Sequence, residues 1–226
     1  MSRCKIGLAL SGGGVRAIAF HAGVLQWLAQ KKLLEKSGHI SSVLGGGLFT
    51  GLLFQRAANQ WPTSDQYTRD ILPFIRILLT SQSLQSDAVC RLLLNPLNWR
   101  FIFSRANILA KSIEKGWGIT TTLEQLPDSP LWSINGTTAE NGRRFRFKGS
   151  RIGDYEIGYA EAGKFKLAQA MAVSAAFPGG IGPLLLDLTQ YQWQRRESWD
   201  SSKPADSASP PYDKLHLYDG GVYDNL

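Results

Sequence analysis

The segment "SSVLGGGLFTG", Ser41 to Gly51, has the layout of a strand running into a glycine turn and then a helix. Enzymes use such a corner to hold a nucleophile out at a sharp bend. The residue at the bend here is Leu44, whose side chain has nothing to attack with. Two further glycine turns follow strand-like runs: "SGGGVRA", Ser11 to Ala17, and "YDGGVYDN", Tyr218 to Asn225. Taken singly, each is open to more than one reading. Gly12-Gly13-Gly14-Val15-Arg16-Ala17 fits G-x-G-x-x-A, the dinucleotide fingerprint, with Glu35 about where a ribose-binding acid would stand. Asp219 before Gly220-Gly221 suits an ordinary turn as well as a catalytic carboxylate.

These turns need elements that bring them together. "KIGLAL", Lys5 to Leu10, is a run of strand length, and Val15 to Glu35 reads as a helix with apolar residues on more than one face. Gly38 is expected to cap that helix. "HISSVL" is a second strand, and a second helix is expected from about Leu48 to Asn59. Strand, glycine turn and helix, twice over, imply an α/β fold with a parallel strand pair and a right-handed crossover. Ligands in such sheets sit at the carboxyl ends of the strands, where the first two glycine turns lie.

Residues 61–125 read as amphipathic helices. They suit either core-facing helices or a cap touching lipid, because Trp99, Phe101 and Phe103 stand beside Arg100 and Arg105. From Leu131 the pattern changes to a hairpin turning at "ENG". A helix ending near Ala176 follows, then a polar stretch from Tyr191 to Tyr212 expected to be a mobile loop, then a last strand, "KLHLYD".

The chain has 226 residues, 43% apolar and 19% charged, which suits one globular domain with a sizeable core. Its formal charge is +7, with pairs at Arg143-Arg144 and Arg195-Arg196, a balance that favours polyanions or anionic membranes. Two cysteines and three scattered histidines give neither a disulfide framework nor metal-ligand spacing. The five-residue apolar run at the N-terminus is too short for a secretory signal, and no run has the roughly 18 apolar residues of a membrane span. A cytoplasmic protein, soluble or peripherally membrane-bound, is expected. "NGT" at Asn135 is a glycosylation pattern that means nothing without such a signal.

In order along the chain, "LALSGGGVRA", the elbow, "LWSINGTTAENGRRFRF", "AVSAAFPG" and "DGG" resemble the patatin-like phospholipases over almost the whole sequence. The resemblance implies a three-layer α/β/α sandwich with a mainly parallel central sheet and a helical cap insertion at about 61–125, as a single domain over 1–226. It implies hydrolysis of lipid acyl esters by a Ser-Asp dyad without histidine. Gly12, Gly13 and Gly14 would supply N–H groups to the oxyanion at a helix N-terminus. Asp219 would take the base position, supported by Gly220, Gly221 and Arg16. Lipid or phospholipid is the implied substrate; if the cap reading of the aromatic–arginine mix holds, peripheral membrane contact is expected through 71–105. No cofactor, metal or nucleic acid is implied. His216 lies on the opposite strand face from Asp219 and is read as structural. Ser174 matches a segment lining the site, and its hydroxyl is expected to bond backbone.

The sequence departs from the family at one decisive place. The elbow pattern G-x-S-x-G is met by Ser42-Val43-Leu44-Gly45-Gly46, so the turn is kept and the nucleophile is gone. Gly47 stands where a small hydroxyl residue is common. Ser42 is two strand rises back, roughly 6–7 Å, too far to replace the missing group. The expectation is a hydrolase fold that is inactive or impaired, with a non-catalytic lipid-binding protein or a dinucleotide binder as alternatives. Leu44 beside Asp219 should also raise that carboxyl's pKa. The chain stops shortly after Asp219, where related proteins usually continue, so its C-terminal end is expected to be cut short.

Overall fold

The computed structural model describes residues 5–81, 105–178, 181–196, 199 and 206–225. Strand β1 (Ile6–Leu10) leads into α1 (Gly14–Gln30), and β2 (Ser37–Ser42) into α2 (Leu44–Arg56). β1 and β2 pair in parallel, as the repeated motif requires.

Two helix boundaries differ from expectation, for identifiable reasons. The first helix stops at Gln30 because Lys32 takes a left-handed backbone, φ 53°. The Leu33 N–H then donates to Leu28 O (2.9 Å) and the Lys32 N–H to Ala29 O (2.9 Å). That is a Schellman cap with lysine in the place glycine usually holds, so nothing in the sequence marks it. Gly38 caps nothing; it lies inside β2 against the Lys5 side chain. The second helix begins at Leu44, not Leu48, and takes Gly45, Gly46 and Gly47 into its first turns. Glycine is a poor helix former. Here close approach overrides propensity, since a Cβ on Gly46 would run into the Leu10 carbonyl and one on Gly45 would come within 2.6 Å of Gly14 O.

After α2 come a short helical turn at Ser64–Gln66, a π turn at Tyr67–Ile71, α3 (Leu72–Ser81) and α4 (Arg105–Trp117). Ile71, Leu72, Ile75, Ala106, Ala110 and Ile113 join the same core as the rest of the protein. The described part of this segment therefore behaves as core-facing helices. Trp99, Arg100, Phe101 and Phe103 lie outside the described residues.

Then follow β3 (Leu131–Thr138), β4 (Arg144–Lys148), β5 (Arg151–Asp154), β6 (Gly158–Glu161), α5 (Leu167–Ser174), β7 (Leu184–Asp187), β8 (Trp193–Arg195), β9 (Asp206–Ser207) and β10 (Lys214–Asp219). The expected hairpin is β3–β4, extended by β5 and β6 into an antiparallel meander. Within the supposed loop of 191–212, β8 pairs with β6, and β9 with β8. Trp193 anchors it: the ring is buried and its Nε1–H donates to Leu188 O (2.9 Å).

All these strands form one mixed sheet, parallel through β1–β2–β3 and antiparallel elsewhere among the described residues. One face packs under the helices through Leu10, Ile40, Ile134, Phe145, Phe147 and Leu217. At its centre Phe54 of α2 stacks on Trp132 of β3, with ring centroids 5.4 Å apart. The other face carries Ala9, His39, Ser133, Arg144, Arg146 and Lys148, all half-buried or exposed.

The contact between α2 and β1 generates a stability prediction. Gly46→Ala should destabilise the fold by about 3 kcal/mol or more, because a backbone carbonyl has to move to admit the methyl group. Denaturant titration measures this; a loss below about 0.5 kcal/mol would mean that the helix and strand are not in close contact.

Candidate active site

The edge of β3 decides what meets what. β2 runs parallel along its first half, with Ser42 opposite Ile134. β10 runs antiparallel along its second half, with Asp219 opposite Gly136. The far edge of β3 is taken by β4, so β2 and β10 share one edge and their carboxyl ends meet head-on. The two ends are separated by two residues of β3, roughly 6–7 Å. The turns beyond them touch: a Cβ on Gly220 would lie 2.8 Å from Val43 Cγ1.

Leu44 sits at the head of α2 with φ 46°, a left-handed conformation that strains a leucine by about 1–2 kcal/mol. The chain thus bends sharply from β2 into α2 with an aliphatic side chain at the bend. Its N–H donates to the buried Ser174 Oγ (3.1 Å), so Ser174 holds the elbow from α5. The leucine packs onto the N-terminal glycine loop: a Cβ on Gly12 would lie 2.6 Å from Leu44 Cδ1 and 3.0 Å from Leu44 Cβ. Gly13 (φ 133°) and Gly14 (φ 62°) carry that loop into α1 through backbone shapes other residues avoid. Arg16, in the first turn of α1, is exposed.

Ser42 is buried, and its hydroxyl accepts from Trp132 Nε1 (2.8 Å). It is a core hydrogen-bond acceptor and no reserve nucleophile. Gly47 stands next to both hydroxyls; a Cβ there would lie 3.4 Å from Ser174 Oγ and 3.5 Å from Ser42 Oγ.

Asp219 is 1% exposed. Its N–H donates to Ala176 O (3.0 Å), its carbonyl accepts from Thr137 Oγ1 (2.8 Å), and its Oδ1 accepts from the Gly221 N–H (2.8 Å). Burial pushes the carboxyl up to about 6, against the downward pull of the Gly221 bond. His216 points away; its ring and N–H bind Glu140.

Three contributors carry no signal in the sequence. Asn225 reaches back so that its Oδ1 accepts from the Gly12 N–H (3.0 Å), tying the last turn to the glycine loop. His21 is buried in α1, and its Nε2 donates to Ser11 O (2.9 Å), fixing the same loop from beneath. Asn135, buried between the two strand ends, donates to Ser41 Oγ (3.0 Å) and Ser42 O (3.2 Å). It is a structural clamp, closed to glycosylation in the folded chain. Asparagine and histidine at these positions look like any turn or helix residue until the chain is folded. Glu35, the acid of the dinucleotide reading, is engaged by the Ser64 N–H (2.6 Å) and Ser64 Oγ (2.7 Å). No cluster of His, Cys, Asp or Glu suited to a metal is present among the described residues.

Three glycine turns and an aspartate thus converge on one spot, and the model of the Patatin family, "Patatin-like phospholipase", matches residues 8–226. The chain belongs to the patatin-like phospholipase family. Its fold is the α/β sandwich of that family. Human GIVD cytosolic phospholipase A2 superposes with a TM-score of 0.56 at 16% identity, over 99% of this chain and 40% of that one. The same human enzyme in complex with methyl gamma-linolenyl fluorophosphonate gives 0.54 at 15% identity, over 96% and 34%. The chain therefore spans well under half the length of these relatives. No curated protein matches it.

The buried carboxyl gives a pH prediction. Its folded pKa of about 6 exceeds the ordinary aspartate value of 3.8, so the native state holds the proton more tightly. This group's contribution to stability is present below about pH 4 and is lost as pH rises through about 6. Asp219→Asn keeps the acceptor for Gly221 without the charge. It should be more stable than the parent at pH 8 by about 1–3 kcal/mol, with the gap closing towards pH 4. Denaturant midpoints at several pH values check this; a gap independent of pH would refute it.

Proposed function

We propose that this domain is a lipid acyl-ester hydrolase of the patatin type whose nucleophile has been replaced by Leu44. The chain as it stands accommodates an acyl ester and turns it over poorly or not at all. The observation that carries the reading is the elbow: Leu44 holds a strained nucleophile backbone with its side chain against Gly12. Family membership supports lipid esters as the substrate class.

The chemistry follows from the groups present. A hydroxyl at position 44 would attack the ester carbonyl, with Asp219 taking its proton. A base of pKa about 6 is suited to that near neutral pH, where it is ionised yet still basic. The developing oxyanion would lie at the glycine loop, at the N-terminus of α1. With leucine there, no proton awaits Asp219 and no covalent intermediate can form. What is left is the help of the loop and of binding, on the order of 10³–10⁴ over water where all parts of a serine-protease oxyanion site are free. Here the Gly12 amide is already engaged by Asn225, so a substrate oxygen has to displace that carboxamide.

Leu44→Ser is the test, assayed on a soluble p-nitrophenyl ester so that no lipid surface is involved. The parent should sit near background and the variant at least about 10²-fold above it. Adding Asp219→Asn should abolish the gain. A folded Leu44→Ser protein that stays silent, alone and with Gly47→Ser, would sink the elbow assignment. Parent activity equal to the variant's would sink the claim of impairment.

A further inference from the structure

Helix α1 has an apolar face that nothing in the catalytic reading uses. Phe20, Val24 and Trp27 recur at spacings of four and three, so they line one side of the helix. They are 68%, 37% and 56% exposed. Ile77 of the neighbouring α3 is 63% exposed, and the Arg76 next to it donates to Gln26 of α1 (3.4 Å). An exposed run of large apolar side chains of this kind is uncommon on a surface bathed only by water.

The charges in line with the stripe are of one sign. Continuing the same spacing, Arg16 precedes Phe20 by four residues and Lys31 follows Trp27 by four. Both are exposed. Neither α1 nor α3 contains a single aspartate or glutamate. The nearby Asp65 and Asp70 are engaged by Lys32 and Arg69. Tryptophan and phenylalanine flanked by cations, with no acid between, complement the boundary between acyl chains and anionic headgroups. The stripe also leads to the candidate site: α1 starts at the glycine loop, and Phe20 lies edge-on against His21, whose ring holds Ser11 O (centroids 5.7 Å apart).

We propose that the Phe20–Val24–Trp27 face of α1, with Ile77 beside it, docks on an anionic phospholipid bilayer. The cations at its ends sit among the headgroups, and the glycine-loop end is presented to the membrane. The choice of a lipid surface over other partners rests on the proposed function; the charge and the exposed aromatics do not.

Flotation of the full chain with phosphatidylcholine vesicles, and with an equal mixture of phosphatidylcholine and phosphatidylserine, tests this. The parent should float with the mixed vesicles, and less at high salt. Phe20→Ser with Trp27→Ser should lower partitioning by about tenfold or more, and Lys31→Glu by about fivefold or more. Vesicles of brominated phosphatidylcholine and phosphatidylserine should quench a component of parent fluorescence that Trp27→Phe lacks, a readout that needs no disruptive substitution. Unchanged partitioning in the double variant, or equal quenching of parent and Trp27→Phe, overturns the proposal. So does a parent that dimerises through this face, seen as a dimer made monomeric by the double variant with no vesicle binding by either. None of these measurements needs turnover, and the soluble-ester assay needs no vesicle, so the two readings fail separately.

Discussion

The site depends on one arrangement of hydrogen bonds: two strands that share an edge of β3 and end where they meet. β2 arrives parallel and β10 antiparallel, so their carboxyl ends face each other across the position of Asn135. Any residue just past either end is delivered to the same place. Leu44 lies just past one end and Asp219 closes the other. Asn135 locks the junction by bonding both Ser41 and Ser42 from between the two ends. Were β10 to shift by one residue along β3, the aspartate would point to the opposite face of the sheet and the pairing would be lost.

Around that junction, packing outweighs local preference. The left-handed leucine costs about 1–2 kcal/mol, and glycines inside a helix cost up to about 1 kcal/mol each. Against this, α2 buries Phe49, Leu52, Leu53 and Phe54, each contributing about 1.5–3 kcal/mol. The helix can bury them only by starting abruptly at Leu44 and lying close on β1 and α1. The strain and the glycines are thus requirements of how α2 is seated. Asp219 shows the same balance from the other side: a buried, raised carboxyl is an electrostatic cost borne by a well-packed neighbourhood.

Much of this was legible in the sequence, and the unread part has physical reasons. Strand–turn–helix order, the parallel pair, the hairpin and the glycine turns follow from hydrophobic period and from residues with one conformational use. The convergence of elbow and aspartate did not follow from local pattern, because it depends on strand register over a separation of more than a hundred residues. In the sequence, only the resemblance carried by several motifs in order points to it. Helix ends leave no sequence signal where an ordinary residue does a glycine's work, as at Lys32, or where tight packing forces glycines into a helix, as at Gly45–Gly47. The strands in 191–212 are hidden by a polar composition with prolines near its end; the buried Trp193 and Trp199 anchor the segment. Asn225 and His21 act on the glycine loop through single long-range hydrogen bonds, which leave no periodic trace.

The seating of α2 separates two requirements that stand side by side in the segment from Leu44 to Gly47. Gly45 and Gly46 are held in place by steric crowding from Leu10 and Gly14, whatever stands at the bend before them. The bend residue is fixed by its backbone angle, and its side chain projects to the glycine loop, touching Gly12. Exchanging that one side chain therefore leaves the close contacts of Gly45 and Gly46 in place. The scaffold is thus built independently of the group at the bend, and its outline alone says nothing about which chemistry that group performs.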